Sequence, residues 1–405
     1  MTESRVPRGG RVRLGKVEGD LRVESGGQIE ADGRCVVEGT IRFDGPAAVQ
    51  GSLECREFRS STGTVEVHGD LLVHGSVRTE DGALEVDGTL SAGDIDIDRR
   101  LKVTGAIHGG RIEVGGVLDA GADLVGSTIT VGGKLRCAGA ITASRVDAGG
   151  LVEAEEVVLD RIEAGGRIRI KGGSVREDIR VGGQFSAQGA FSFGDLDVGG
   201  MVDLGGDARG RKINVGGILR ALGNLDFEEL EVGGLGEIRG EARGKDVDIG
   251  GRFRVGRSLQ LTGEVDVGGE IVVTDDLGAE QLSVGGSIES RKIVVKGRVD
   301  IGGSAATRGG LKGAEIRIHR KSRVRGALVG GHVDVGDRAR VETVYGTSIE
   351  IGDGAEAQRV VGATVQIGPN ARVGEVVYSQ SIRVDPSARL GQPPRHVDDL
   401  GAFPL

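Results

Sequence analysis

An aliphatic residue followed by Gly-Gly returns about every 17 residues along this chain. It stands at Val114, Val131, Ala148, Ala164, Val181, Val198, Val215, Val232, Ile249, Val267, Val284 and Ile301. The phase continues through Ile318, Val335, Ile351, Ile367 and Val384, where other pairs replace Gly-Gly. Successive markers lie 16, 17 or 18 residues apart. A fixed period of that size marks a solenoid and overrides the two or three globular domains that 405 residues would otherwise suggest.

One repeat, Lys212 to Gly223, shows how the period is filled. Ile213 and Val215 alternate with Asn214, and Leu219 and Ala221 alternate across Arg220. That is a strand period of two with one buried face. Gly216 and Gly217 read as a corner built from backbone angles that other residues resist. A third short segment near Leu225 leads to the next marker. The same columns recur down the chain, for example Ile112/Val114, Ile129/Val131 and Leu230/Val232 in the first strand. Leu118, Leu135, Val152, Ile168, Phe185, Val202, Leu219 and Phe253 recur in the second. Stacked coils turn each column into an interior ladder, and a coil depends on its neighbours to bury its apolar face. The expected fold is an all-β parallel β-helix of roughly 20–22 coils.

Composition agrees. Glycine, at 76 residues, is nearly three times its usual share, yet there is no Gly-X-Y period and Pro is scarce, which excludes collagen. Tryptophan is absent and aromatics are 2%, as a thin core requires. Cys35, Cys55 and Cys137 form an odd, widely spaced set, expected as buried small residues of a reducing compartment rather than a disulfide framework. The net charge of −9 argues against a dedicated nucleic-acid binder. No run is long and apolar enough to span a membrane, and residues 1–10 lack the apolar centre of a secretory signal.

Four stretches are expected: a flexible lead over 1–10, less regular coils over 11–105, regular coils over 106–390, and a Pro-containing flexible tail over 391–405. Basic residues gather at Arg5, Arg8, Arg11 and Arg13, and again at Arg317, Arg320, Lys321, Arg323 and Arg325. These read as solvated faces or contacts between subunits.

Ile349-Glu-Ile-Gly-Asp-Gly-Ala-Glu-Ala357 and Val365-Gln-Ile-Gly-Pro-Asn-Ala-Arg-Val373, with the Gly-Asp-Leu segments at 19–21 and 69–71, resemble the bactofilin family of polymer-forming bacterial cytoskeletal proteins. The resemblance implies a right-handed β-helix of triangular section that joins end to end into non-polar filaments without nucleotide. It also implies attachment to membrane or wall machinery, or to other cytoskeletal proteins, through the tails. The expected location is cytoplasmic, with the inner face of the cell membrane as the alternative that the resemblance adds. This chain is two to three times the usual length and lacks the short hydrophobic N-terminal segment of some members.

Catalytic readings compete with this one. Some β-helices are polysaccharide lyases with acids on adjacent coils, and Glu231, Asp248 and Asp266 fall on three successive coils here. Crowded carboxylates would raise one pKa and could hold a divalent cation, but an outward, water-facing ladder explains them as well. Acyltransferases of the left-handed type repeat every 18 residues and use a His base. His68, His74, His108, His319, His332 and His396 are scattered, with no metal-ligand spacing. No Gly-Lys-Ser/Thr phosphate loop occurs. No catalytic, cofactor or metal residue is assigned, and no enzymatic activity is expected. The expected function is a self-assembling scaffold whose partner is another copy of itself. A monomeric interaction scaffold is the runner-up. The candidate polymer contacts are Val17, Leu21 and Val23 in the first coil, and Val373, Val384 and Leu390 in the last.

Overall fold

The computed structural model describes residues 3–403. Two compact units divide the chain, residues 1–200 and 201–405. Both are parallel β-solenoids, with about 23 turns in all, roughly 17 residues per turn and no helix among the described residues.

In the first unit a representative turn runs through Arg111–Val114, Val117–Ala120 and Leu124–Val125, one short strand on each of three faces. The next turn sets Ile129 on Ile112, Leu135 on Leu118 and Ile141 on Leu124. All six side chains are fully buried, whereas Arg111 and Glu113 between them are exposed. Like therefore stacks on like inside, and each face is a ladder of parallel strands. Towards the N-terminus the rungs are uneven. Bulges fall between Glu30 and Arg34 and between Val37 and Thr40, and further register shifts occur between Cys137 and Ala140, Leu159 and Arg161, and Val175 and Asp178.

The second unit repeats the scheme. Lys212–Val215, Ile218–Ala221 and Leu225–Asp226 form one turn, and Glu229–Val232, Leu235–Ile238 and Ala242–Gly244 stack on it. Leu219, Gly236 and Phe253 share an inward column. Gly236 leaves the space that the Phe253 ring fills, since a Cβ there would lie 2.7 Å from the ring. That pairing of small with large accounts for the gap in the apolar column.

The Gly-Gly corners correct the expectation about backbone angles. None of the doublets that follow the aliphatic marker, from Gly115–Gly116 to Gly302–Gly303, has positive φ, whereas Gly173, in a doublet off the marker phase, sits at 115°. Crowding explains them instead. A Cβ on Gly132, Gly149 or Gly165 would overlap the carbonyl oxygen of Gly115, Gly132 or Gly149, one turn earlier. Left-handed corners do occur later, at Lys321, Arg338, Gly354 and Asn370, with φ of 64°, 57°, 62° and 56°.

Another corner is tied by carboxylates and amides. The Asp20 side chain accepts the Thr40 N–H at 2.8 Å, Asp70 that of Thr89 at 2.8 Å, and Asp123 that of Ala140 at 2.9 Å. Asp207 accepts from Asn224, whose own side chain accepts from Glu241. The Gly-Asp-Leu segments at 19–21 and 69–71 are thus corner pieces whose Asp satisfies a backbone donor one turn ahead.

Both ends extend past the boundaries expected from sequence. Residues 3–6, placed in a flexible lead, form a strand on Asp20–Val23, and Val6 is fully buried. Arg389–Leu390 and Arg395–His396 pair with the preceding turn, so the boundary at 391 cuts through a rung. Pro393 and Pro394 fall between those two strands, where no ladder N–H is required. Residues 1–2 and 404–405 lie outside the described part.

Candidate functional site: the terminal turns

Each end of the described chain presents three strands paired on one side. At the start these are Glu3–Val6, Arg11–Arg13 and Lys16–Val17, each bonded only to the following turn. At the far end Ser381–Val384, Arg389–Leu390 and Arg395–His396 bond only to the preceding turn. Such edges carry backbone donors and acceptors able to pair with another strand.

The candidate contacts divide unevenly. Val17 lies on an edge strand with its side chain buried. Leu21 and Val23 lie one rung inside, beneath Ser4 and Val6, so they are core residues rather than contacts. Val373 is likewise interior, covered by Leu390. Val384 and Leu390 do sit on the last rung. Both are half-buried, whereas Ile367 and Val373 directly beneath them are buried. Ile382 and Ala388 at this end, and Val12 and Leu14 at the other, share that half-open state and were missed. Running the inward alternation out to the terminal strands would have found them.

The C-terminal segment leaves this rung open. Val294, Lys312, Val329, Tyr345, Val361 and Val377 form one outward column on the third face. Val294 is 39% exposed, yet Val329, Val361 and Val377 are 4–6% exposed. The chain beyond His396 accounts for the difference. The His396 ring packs edge-on against Tyr378 at 5.3 Å, the Val397 N–H bonds the Tyr378 carbonyl, and Phe403 reaches Tyr345 at 5.8 Å. The segment therefore runs back along the column as a strap instead of crossing the end. The flexible tail expected over 391–405 is corrected accordingly for residues 391–403.

Charge at the first rung is organised too. Arg11 pairs with Glu30, Arg13 with Asp32 and Lys16 with Glu38, at 3.3, 3.6 and 2.7 Å, and Arg5 pairs with Glu24. The Arg5 guanidinium, helped by the Arg8 N–H, holds the Glu24 carboxyl below the usual range. Exposed pairs of this kind add little stability.

The other candidate centres lie elsewhere. Glu231, Asp248 and Asp266 stack in register and point outward, exposed. Among the described residues no group of three or more His, Cys, Asp and Glu is arranged to hold a metal. His68 meets Asp87 at 2.8 Å, His74 meets Glu54 at 3.1 Å and His319 lies 3.6 Å from Asp300, each a separate surface pair. All three cysteines are free and buried. Burial pushes the Cys55 thiol up to about 12, with Cys35 and Glu54 adding to it, and pushes the Cys35 and Cys137 thiols up as well. A thiol reagent at pH 8 should therefore modify none of the three in the native protein, and all three once guanidinium unfolds it. A rapid reaction of the folded chain would show that the core opens readily.

Compared with protein-family models, with curated proteins and with solved structures, the chain gives no match in any of the three.

Proposed function

We propose that this chain is a structural subunit that polymerises end to end, without nucleotide, through the edge strands of its terminal turns. The observation that carries the reading is the rung of Ile382, Val384, Ala388 and Leu390. It is half-open, directly above a rung that is buried. A second copy seated there would close the apolar row and pair the free backbone groups of three faces at once. Neither step needs an energy source, because burial and strand pairing are favourable in themselves. The likeness of residues 349–357 and 365–373 to bactofilins supports the same reading, and would make the protein a cytoskeletal filament of the cytoplasm or the inner membrane face. The strap supports it as well, because its described residues run back along the third face rather than over the last rung.

Light scattering and negative-stain microscopy of the purified protein, with no nucleotide present, test the proposal. Filaments that lengthen with protein concentration are expected. A monodisperse monomer across the micromolar range would reject polymerisation and leave a monomeric interaction scaffold as the reading.

A further inference from the structure

Along the outer faces of the first unit, cations and carboxylates alternate from rung to rung. Arg100 pairs with Asp119 at 2.9 Å, Arg136 with Glu153 at 3.2 Å and Arg169 with the same Glu153 at 3.6 Å. One region of the second unit breaks this pattern. Arg323 stacks in register on Arg340. On the same two turns Lys321 and Arg338 occupy equivalent corners, their N–H groups bonding the carbonyls of Asp337 and Asp353. Arg340 reaches Glu356 at 3.1 Å. Lys321, Arg323, Arg325 and Arg338 are exposed, and no ion pair joins them to any described carboxylate. Cations one rung apart repel each other, and among the described residues no carboxylate pairs with these four.

The corner backbone adds an independent observation. Lys321 and Arg338 sit at φ 64° and 57°, a left-handed conformation that costs an ordinary side chain. The next two turns put Gly354 and Asn370 at the same corner, residue types that enter this region readily. Two cations thus occupy strained positions where neighbouring turns use unstrained residues. Strain of this kind collects where a side chain serves binding rather than stability.

Beside the corner, Arg323, Arg325, Arg340, Arg372 and Arg389 border a groove of about 660 Å³ whose acids are Glu342 and Glu356. Glu342 is engaged by the Gly326 N–H, and Glu356 by Arg340 and Arg372. The lining holds no aromatic side chain on which bases could stack, which disfavours single-stranded nucleic acid. We infer that the strip from Lys321 and Arg338 through Arg323 and Arg340 into this groove binds a linear phosphate chain. Guanidinium forks suit phosphate oxygens, and the column Arg323, Arg340, Glu356, Arg372 and Arg389 sets four guanidinium groups on five successive rungs, which suits a ligand that repeats its charge.

The test uses the full chain and labelled inorganic polyphosphate, read by fluorescence anisotropy at low and moderate salt. Wild type should bind, with affinity falling as salt rises. Arg323→Gln with Arg340→Gln should weaken binding by about 10-fold or more. Lys321→Gly with Arg338→Gly should weaken it similarly while raising the melting temperature, a pairing that a merely structural role would not produce. Arg136→Gln, in the neutralised ladder of the first unit, should leave affinity unchanged. Unaltered binding by both double variants overturns the site. So does wild-type binding confined to phosphatidylglycerol vesicles, or tighter binding of single-stranded DNA than of polyphosphate.

Discussion

Aspartate at both Val384 and Leu390 should leave the purified chain monomeric while its fold survives. Both side chains lie on the last rung and are half-buried, with neighbours beneath but none of the described strands above. Within one molecule the change removes part of two apolar contacts, a loss on the order of 1 kcal/mol for each. Against a second copy it sets two carboxylates inside a closed apolar row, which costs several kcal/mol unless each finds a partner. A penalty of about 3 kcal/mol already raises the assembling concentration ~100-fold. Sedimentation velocity should report a monomer where wild type forms filaments, and the thermal melt should shift little. Val158→Asp, at a side chain 50% exposed on an outer face, is the control and should assemble as wild type does. Filaments formed by the double variant at wild-type concentrations would remove the C-terminal rung from the contact.

The interior was legible because this fold makes each turn restate the last. Ile112 over Ile129, or Leu118 over Leu135, is a comparison that spacing alone can make. The ends were less legible for the same reason. Alternation identifies which residues point inward but not which rung is last. Leu21, Val23 and Val373 therefore passed for terminal contacts although each lies under one more strand. The first rung hid better still, because Glu3–Val6 alternates without the Gly-Gly marker. Buried outward valines such as Val361 had no signal in the repeat at all, since the strap that covers them comes from outside the period. The two kinds of corner were equally hidden. Glycine chosen for a left-handed angle and glycine chosen for want of space leave the same letter in the chain.

That last ambiguity has the second large consequence. Gly132→Ala should destabilise the first unit by about 3–5 kcal/mol, although alanine tolerates the backbone angles there. The added methyl would overlap the Gly115 carbonyl oxygen, which is backbone and cannot swing aside. Relief requires parting two turns at the corner, against the bonds from the Gly132 N–H to Val114 and from the Gly133 N–H to Gly116 at 2.8 and 3.0 Å. Gly15→Ala is the matched control, with nothing within 4 Å of its Cβ and no positive φ, and should change stability by no more than about 1 kcal/mol. Stability in a stacked array is local, so hydrogen exchange should quicken first in amides of the turns around residues 115–133, ahead of any change in the global melt. If Gly132→Ala exchanged and melted like Gly15→Ala, the Gly-Gly period would owe nothing to turn-on-turn crowding. The 17-residue spacing would then need a different physical cause.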